Sequence, residues 1–70
     1  LTLTRRILAQ AGQFLRPHGL LVVEVGNSGE ALEEQFPRVP FTWLEFVHGG
    51  HGVFALTMQE WQEYRESLGG

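Results

Sequence analysis

The sequence contains no cysteine and no lysine, and these two absences exclude several kinds of function. Without cysteine the chain has no disulfide, no zinc-thiolate site and no thiol nucleophile. The five cationic side chains are all arginine, they are scattered, and the net charge is −3, so no basic stripe is present to neutralise phosphates. We therefore expect no autonomous nucleic-acid binding. The lack of cysteine suits a reducing compartment, and we expect a cytoplasmic protein.

Long apolar runs are also missing. The longest run, residues 20–23, is far shorter than the roughly 20 residues that a membrane-spanning helix needs, and no signal-peptide pattern opens the chain. We expect no membrane partner. The sequence starts at Leu1, already inside a helical pattern, which favours a piece of a longer protein. A chain of 70 residues has room for one small core, so residues 1–70 are treated as a single unit.

The first half of the chain predicts a helix and then a buried strand. Apolar residues recur at helical spacing from Thr4 to Arg16, with Thr2 or Thr4 available as N-cap. Gly12 indicates either that another backbone packs close to this helix or that the helix is weaker. The run LLVVEV, residues 20–25, is nearly continuous in aliphatic side chains. That pattern is typical of a parallel strand buried on both faces.

A short second helix should follow this strand. Asn27 and Glu30 have the spacing of a capping box, with asparagine in the place of serine or threonine, and the helix should run to Phe36.

The second half predicts two strands and a last helix. The runs FTWLEFV, residues 41–47, and VFALT, residues 53–57, are rich in β-branched and aromatic side chains. A short glycine-rich connection joins them, so an antiparallel hairpin is expected. Thr57 and Glu60 then form a capping box at the start of the last helix.

The connection between these strands contains two histidines and three glycines. His48 and His51 would be two metal ligands, but zinc normally takes three or four, and no suitable carboxylate cluster completes the set. The other interpretation is a polar turn in which Gly49, Gly50 and Gly52 adopt positive φ angles and the histidines lie in solvent. The residues favour the turn.

The stretch VVEVGNSG has the outline of a nucleotide-binding first turn. Gly26 and Gly29 follow a strand and precede a helix, and Glu45 lies at a spacing that suits an acidic residue on a ribose. Only two of the three expected glycines are present, however, and the next strand leads into a hairpin rather than another crossover. Local spacing places no histidine and aspartate partners that would activate Ser28 as a nucleophile.

The stretch FLRPHGLLVVEVGNSGEALEEQFPRVPFTWLEFVHGGHGVFALT resembles the C-terminal part of the HemK-like protein glutamine methyltransferases. It is closest to the PrmB branch, whose members methylate a glutamine side chain of a large-subunit ribosomal protein. The resemblance extends from Phe14 to Thr57, and VPFTWLEF followed by GG-G-VF is its most specific part.

This resemblance implies an α/β fold. Such enzymes have a class I, Rossmann-like sheet whose last strand runs antiparallel between the fifth and the sixth. Residues 20–25, 41–47 and 53–57 would be the fifth, sixth and seventh strands. The chain would then form a three-stranded mixed sheet with an antiparallel hairpin and about three helices. The fifth strand would be an exposed edge, which the fourth strand covers in the whole enzyme.

The resemblance also implies where the chemistry lies. The family's glycine-rich cofactor loop and its Asn-Pro-Pro-Tyr motif do not occur in this sequence. The parent enzyme would use S-adenosylmethionine, whereas this chain would contribute no catalytic, cofactor-binding or metal-binding residue. The family's hairpin usually carries acidic or amide residues where the two histidines stand here. The positions expected near substrate are Gly26, Asn27, Ser28, His48, Gly49, Gly50 and His51.

The expected function is therefore that of a C-terminal portion of a glutamine methyltransferase, inactive alone, with the rest of the domain and a ribosomal protein as partners. One alternative is a fragment of an adenine-specific nucleic-acid methylase, since those enzymes share the Asn-Pro-Pro-Tyr motif. Another is a small self-associating interaction domain, which would dimerise across the exposed sheet edge or by exchange of an end helix.

Overall fold

The structure, a computed structural model, describes residues 1–45 and 51–69. Its elements follow the predicted order, with short 3₁₀ turns after the first helix and after the first strand. The helices and strands are α1 (Thr2–Gln10), β1 (Leu20–Glu24), α2 (Gly29–Gln35), β2 (Thr42–Leu44), β3 (Val53–Thr57) and α3 (Met58–Glu63). No helix within the two described ranges has the length and hydropathy needed to cross a membrane.

The three strands form one sheet in the order β1-β3-β2. The last strand lies between the other two, as the resemblance implied, and both of its neighbours run antiparallel to it. The prediction of a mixed sheet is wrong for the described residues. Since β3 separates β1 from β2, the two strands that share a direction never pair with each other.

The core lies on one face of this sheet. Phe54 and Leu56 of β3 point to this face, because side chains two residues apart along a strand share a side, and both are fully buried. Leu8 of α1, Leu32 of α2 and Trp61 of α3 belong to the same buried cluster. All three helices thus contribute to a single core.

Strand β1 is half-buried on one face only, which corrects the prediction that it is buried on both. Leu21 and Val23 pack against the core, whereas Leu20 and Val22 are 56% and 51% exposed. The second face stays open because no described element covers it. The strand is also an edge of the sheet, as expected.

Helix α1 ends at Gln10 rather than at Arg16, and the reason lies in α3. The indole Nε1 of Trp61 donates a buried hydrogen bond to the carbonyl oxygen of Leu8 at 2.7 Å. That carbonyl is the acceptor that the N–H of Gly12 would use in a continued α-helix. The indole ring lies directly over Gly12, and the chain continues as a 3₁₀ turn, Ala11–Gln13.

Two of the predicted helix caps are wrong. Helix α1 has Leu1 as its N-cap residue and no side-chain cap, and both Thr2 and Thr4 lie inside the helix. Helix α2 has Ser28 in the N-cap position, again without a side-chain bond. Asn27 lies in the preceding 3₁₀ turn, and its side chain is bonded elsewhere.

The predicted capping box of α3 is confirmed. The backbone N–H of Thr57 donates to Oε1 of Glu60 at 2.9 Å, and the backbone N–H of Glu60 donates to Oγ1 of Thr57 at 3.0 Å. Because Thr57 is also the last residue of β3, the strand passes directly into the helix.

The contact between Gly12 and Trp61 gives a first prediction. Gly12→Ala should lower the free energy of unfolding by about 1–3 kcal/mol, because the new Cβ would overlap the indole ring. This loss should appear although alanine has the higher helix propensity. Urea denaturation measures it, and Gln13→Ala at an exposed neighbouring position should change stability by less than about 0.5 kcal/mol. A Gly12→Ala chain as stable as the wild type would contradict this packing.

Candidate functional site at the carboxyl edge of the sheet

Three segments meet at the end of the sheet where β1 and β2 finish, which we call the carboxyl edge. Strands β1 and β2 share a direction and end here, and β3 begins here, with Glu24 and Leu44 both opposite Val53. The turn after β1, Glu45 after β2 and the residues before β3 are therefore brought together. Open α/β sheets commonly bind ligands at the carboxyl ends of their strands.

Two glycines make the closest contact at this edge. Gly52 has φ +74°, and a Cβ at this position would overlap the carbonyl group of Gly26. Gly26 also has a positive φ of +56°. The backbone N–H of Val25 donates to the carbonyl oxygen of Gly52 at 2.6 Å, which holds the two segments together. Glycine is needed at position 52 both for its φ and for the lack of a side chain.

A side-chain hydrogen bond joins the same two segments. Nε2 of His51 and Oδ1 of Asn27 are 2.8 Å apart, although the residues are separated by 24 positions in the sequence. Both side chains are exposed. This pairing replaces the predicted helix cap of Asn27, and it shows that His51 does more than lie free in solvent.

An open pocket of about 440 Å³ lies between the turn after β1, helix α2 and the end of β2, and we call it the edge pocket. Its lining is acidic and aromatic, and consists of Gly26, Asn27, Gly29, Glu30, Glu33, Trp43, Leu44, Glu45, His51 and Gly52. The indole N–H of Trp43 is buried and has no acceptor within the described parts of the chain. The pocket therefore presents carboxylate oxygens beside the ring of a tryptophan.

Comparison with known proteins identifies relatives that are named ribosomal protein uL3 glutamine methyltransferases. No protein-family model and no solved structure matches the chain. The ribosomal protein uL3 glutamine methyltransferase of Francisella tularensis is 46% identical over 68 residues, which cover 97% of this chain and 22% of that relative. The enzyme of the same name from Neisseria gonorrhoeae is 47% identical over 57 residues, 81% of this chain and 19% of that relative.

By its sequence, the chain is similar to one part of the enzymes of this methyltransferase family. The family resemblance drawn from the VPFTWLEF and GG-G-VF motifs is thereby confirmed. The chain spans about a fifth of the length of the curated relatives it matches.

The positions that the methyltransferase resemblance places near substrate are only partly brought together. Gly26, Asn27 and His51 line the same pocket. Ser28 instead lines a different cavity, of about 300 Å³, with residues of α1. His48, Gly49 and Gly50 lie outside the described residues. A role near substrate stays a prediction for all of them.

The metal alternative has no support from the described side chains. No group of three histidine, aspartate or glutamate side chains is arranged to hold a metal ion in the described parts of the chain. His51 is bonded to Asn27. His18 lies at the opposite end of the strands, before β1, and lines a cavity with Thr57 and Met58.

The nucleotide-binding alternative correctly predicted that Glu45 lies near the glycine turn after β1. Glu45 does share a pocket with Gly26 and Gly29. However, the N–H of Val25 donates to Gly52, and the N–H of Ser28 donates to the carbonyl oxygen of Val25 at 3.0 Å. A phosphate-binding turn needs its amide groups directed at the ligand. In this chain the amides of Val25 and Ser28 are used for internal hydrogen bonds.

Sequence reasoning missed two features of the site. It did not connect Asn27 with His51, because the capping-box spacing to Glu30 offered a local partner. It also did not place the carboxylates of α2 beside Trp43, because no local pattern connects this helix with the second strand. Helical spacing was the available signal, because Glu30 and Glu33 lie three residues apart and share one side of α2.

The two glycines at the edge give a second prediction. Gly52→Ala should destabilise the fold by more than Gly26→Ala does. Both substitutions place a side chain in the left-handed region, at a cost of about 1–2 kcal/mol. Only Gly52→Ala adds an overlap with the Gly26 carbonyl, on the order of 1–3 kcal/mol, whereas a Cβ at Gly26 meets nothing within 4 Å.

Urea denaturation of the two variants tests this difference, and hydrogen exchange of the Val25 amide locates it. In Gly52→Ala the Val25 amide should exchange faster, because its acceptor is the carbonyl of residue 52. Equal losses of stability in the two variants would contradict the backbone contact.

Proposed function

We propose that this chain supplies the last three strands of the catalytic sheet in an S-adenosylmethionine-dependent methyltransferase that methylates a glutamine side chain of ribosomal protein uL3. The observation that carries the proposal is the 46% identity to the Francisella tularensis enzyme over 97% of the chain. The chain would complete the sheet and shape its carboxyl edge, while the transfer chemistry belongs to the rest of the enzyme.

The strand order supports this assignment. An antiparallel strand inserted between two strands that share a direction is what the family resemblance implies for the end of the sheet. The core on one face and the open second face also fit part of a sheet that is covered on both sides in the whole domain.

The exposed apolar side chains support a partner on the β1 side. Among the described residues, four large apolar side chains are more than half exposed: Leu3 (68%), Phe14 (77%), Leu20 (56%) and Val22 (51%). Two of them lie on the edge strand β1, whose outer backbone groups have no described strand beside them. We assign this surface to the remainder of the methyltransferase domain.

The residues present do not fit a binding site for S-adenosylmethionine. No arginine among the described residues lines the pocket to hold the carboxylate of the cofactor, and the family's glycine-rich cofactor loop does not occur in this sequence. Two amides of the glycine turn are already used within the chain. Cofactor binding is therefore assigned to the parts of the enzyme beyond these residues.

The two alternatives differ in their support. An adenine-specific nucleic-acid methylase would meet a phosphate backbone, which the net charge of −3 does not favour, and both relatives are named for a protein substrate. A self-associating domain would use the same β1 edge. Sedimentation separates that case, since it requires a dimer of the chain alone.

A chimeric enzyme tests the proposed function. The matched segment of the Francisella tularensis methyltransferase is replaced by this chain, and methylation of purified uL3 is read from the mass increase of its glutamine-containing peptide. We expect activity within about tenfold of the parent, because packing differences of about 1 kcal/mol at a grafted interface change rates by less than that factor. A folded chimera that leaves uL3 unmodified would contradict the proposal.

The control for the chimera is a variant on the assigned partner surface. Val22→Glu changes a side chain that is half-exposed in the chain alone, so it should be tolerated there. In the chimera the same substitution buries a charge and should abolish folding and activity. Gln59→Glu on the exposed side of α3 should leave the chimera active.

A second test concerns the chain alone. Its two-dimensional amide NMR spectrum should show no saturable change when S-adenosylmethionine is added in millimolar excess, because the cofactor site is assigned elsewhere. The chain alone should also transfer no methyl group to uL3. Saturable shifts clustered on Gly26, Gly29 and Glu45 would instead establish a cofactor site in the glycine turn.

A further inference from the structure

Three interactions at the carboxyl edge join the turn after β1 to the start of β3. They are the backbone contact of Gly26 with Gly52, the hydrogen bond from the Val25 amide to Gly52, and the bond between Asn27 and His51. We call this set the edge clasp. The bond between Asn27 and His51 joins residues 24 positions apart in the sequence.

The side-chain bond of the clasp fixes the chemistry of the histidine ring. Oδ1 of an asparagine is an acceptor only, so the bond in this arrangement requires the His51 ring form that carries a proton on Nε2. In the neutral ring, Nδ1 is then left as an unprotonated acceptor. The charged groups that share the pocket with this ring are the carboxylates of Glu30, Glu33 and Glu45.

The bond also fixes the position of the ring. Its two partners are exposed, and an exposed hydrogen bond contributes only about 0.5–1.5 kcal/mol. The neighbouring glycine contact and the Val25 bond hold the backbones in place, so little entropy remains to be lost when the side chains pair. The clasp therefore joins the pocket wall after β1 to the pocket wall before β3 by two hydrogen bonds and one backbone contact.

We propose that Asn27 is a positioning residue of the methyltransferase, which holds His51 in one orientation and one tautomer at the rim of the edge pocket, where the substrate protein docks. This inference rests on the proposed function. It assigns to Asn27 a role in substrate binding through His51, with no part in the methyl transfer itself.

The first experiment reads the histidine ring directly. The ring nitrogens are observed by ¹⁵N NMR above the titration range of histidine, in the chain alone and in the chimera. His51 should show a single Nε2–H tautomer, and Asn27→Ala should move its two nitrogens toward the averaged values of the exposed His18. Asn27→Asp retains the oxygen acceptor and should restore the single tautomer.

The second experiment measures steady-state kinetics of the chimera with uL3. Asn27→Ala should raise KM for uL3 roughly two- to tenfold, the range that one hydrogen bond spans, with kcat within about twofold. Asn27→Asp should return KM to the starting value. Gln35→Ala, an exposed change on α2 outside the pocket, is the control.

The outcomes separate the clasp from the proposed function. Two results with an active chimera would overturn the positioning role and leave the proposed function standing. One is that the ¹⁵N shifts of the His51 ring match those of His18. The other is that Asn27→Ala lowers kcat by as large a factor as it raises KM. A chimera that is folded but inactive overturns the proposed function, and the positioning role with it, even where the ring signals show the single tautomer.

Discussion

The fold depends on one strand. Every backbone ladder of the sheet runs through β3, which pairs with β1 along its whole length and with β2 over three residues. Its side chains Phe54 and Leu56 are the centre of the core, and its last residue caps α3. Neither β1 nor β2 has another described strand to pair with, so the sheet exists only because the last strand enters between the first two.

The same insertion creates the candidate site. A strand that starts where its two neighbours end must bring its first residues against their carboxyl ends. The approach is close enough that residue 52 has no space for a side chain, and the histidine before it reaches the asparagine after β1. The contact between Gly26 and Gly52 and the bond between Asn27 and His51 therefore both follow from the position of β3 in the sheet.

The parts of the structure that the sequence predicted are those with local causes. The bounds of β3 and the capping box at Thr57 depend on residues within a few positions of each other, and both were predicted correctly. The insertion of β3 was not readable from periodicity and came from the family resemblance alone.

The errors share a different cause, which is a partner far away in the chain or outside it. Asn27 was assigned to Glu30, but its partner is His51. The first helix was extended to Arg16, but Trp61 takes the carbonyl of Leu8. The aliphatic run of β1 indicates burial on both faces, and the described residues supply the cover for only one. Local pattern carries no information on such partners.

The bond between Leu8 and Trp61 has a consequence for the order of events during synthesis. It joins residues 53 positions apart, the first helix to the last. During synthesis α1 is made before α3, because a chain grows from its N-terminal side. The C-terminal end of α1 therefore stays unsettled until Trp61 has been added, 53 residues after Leu8.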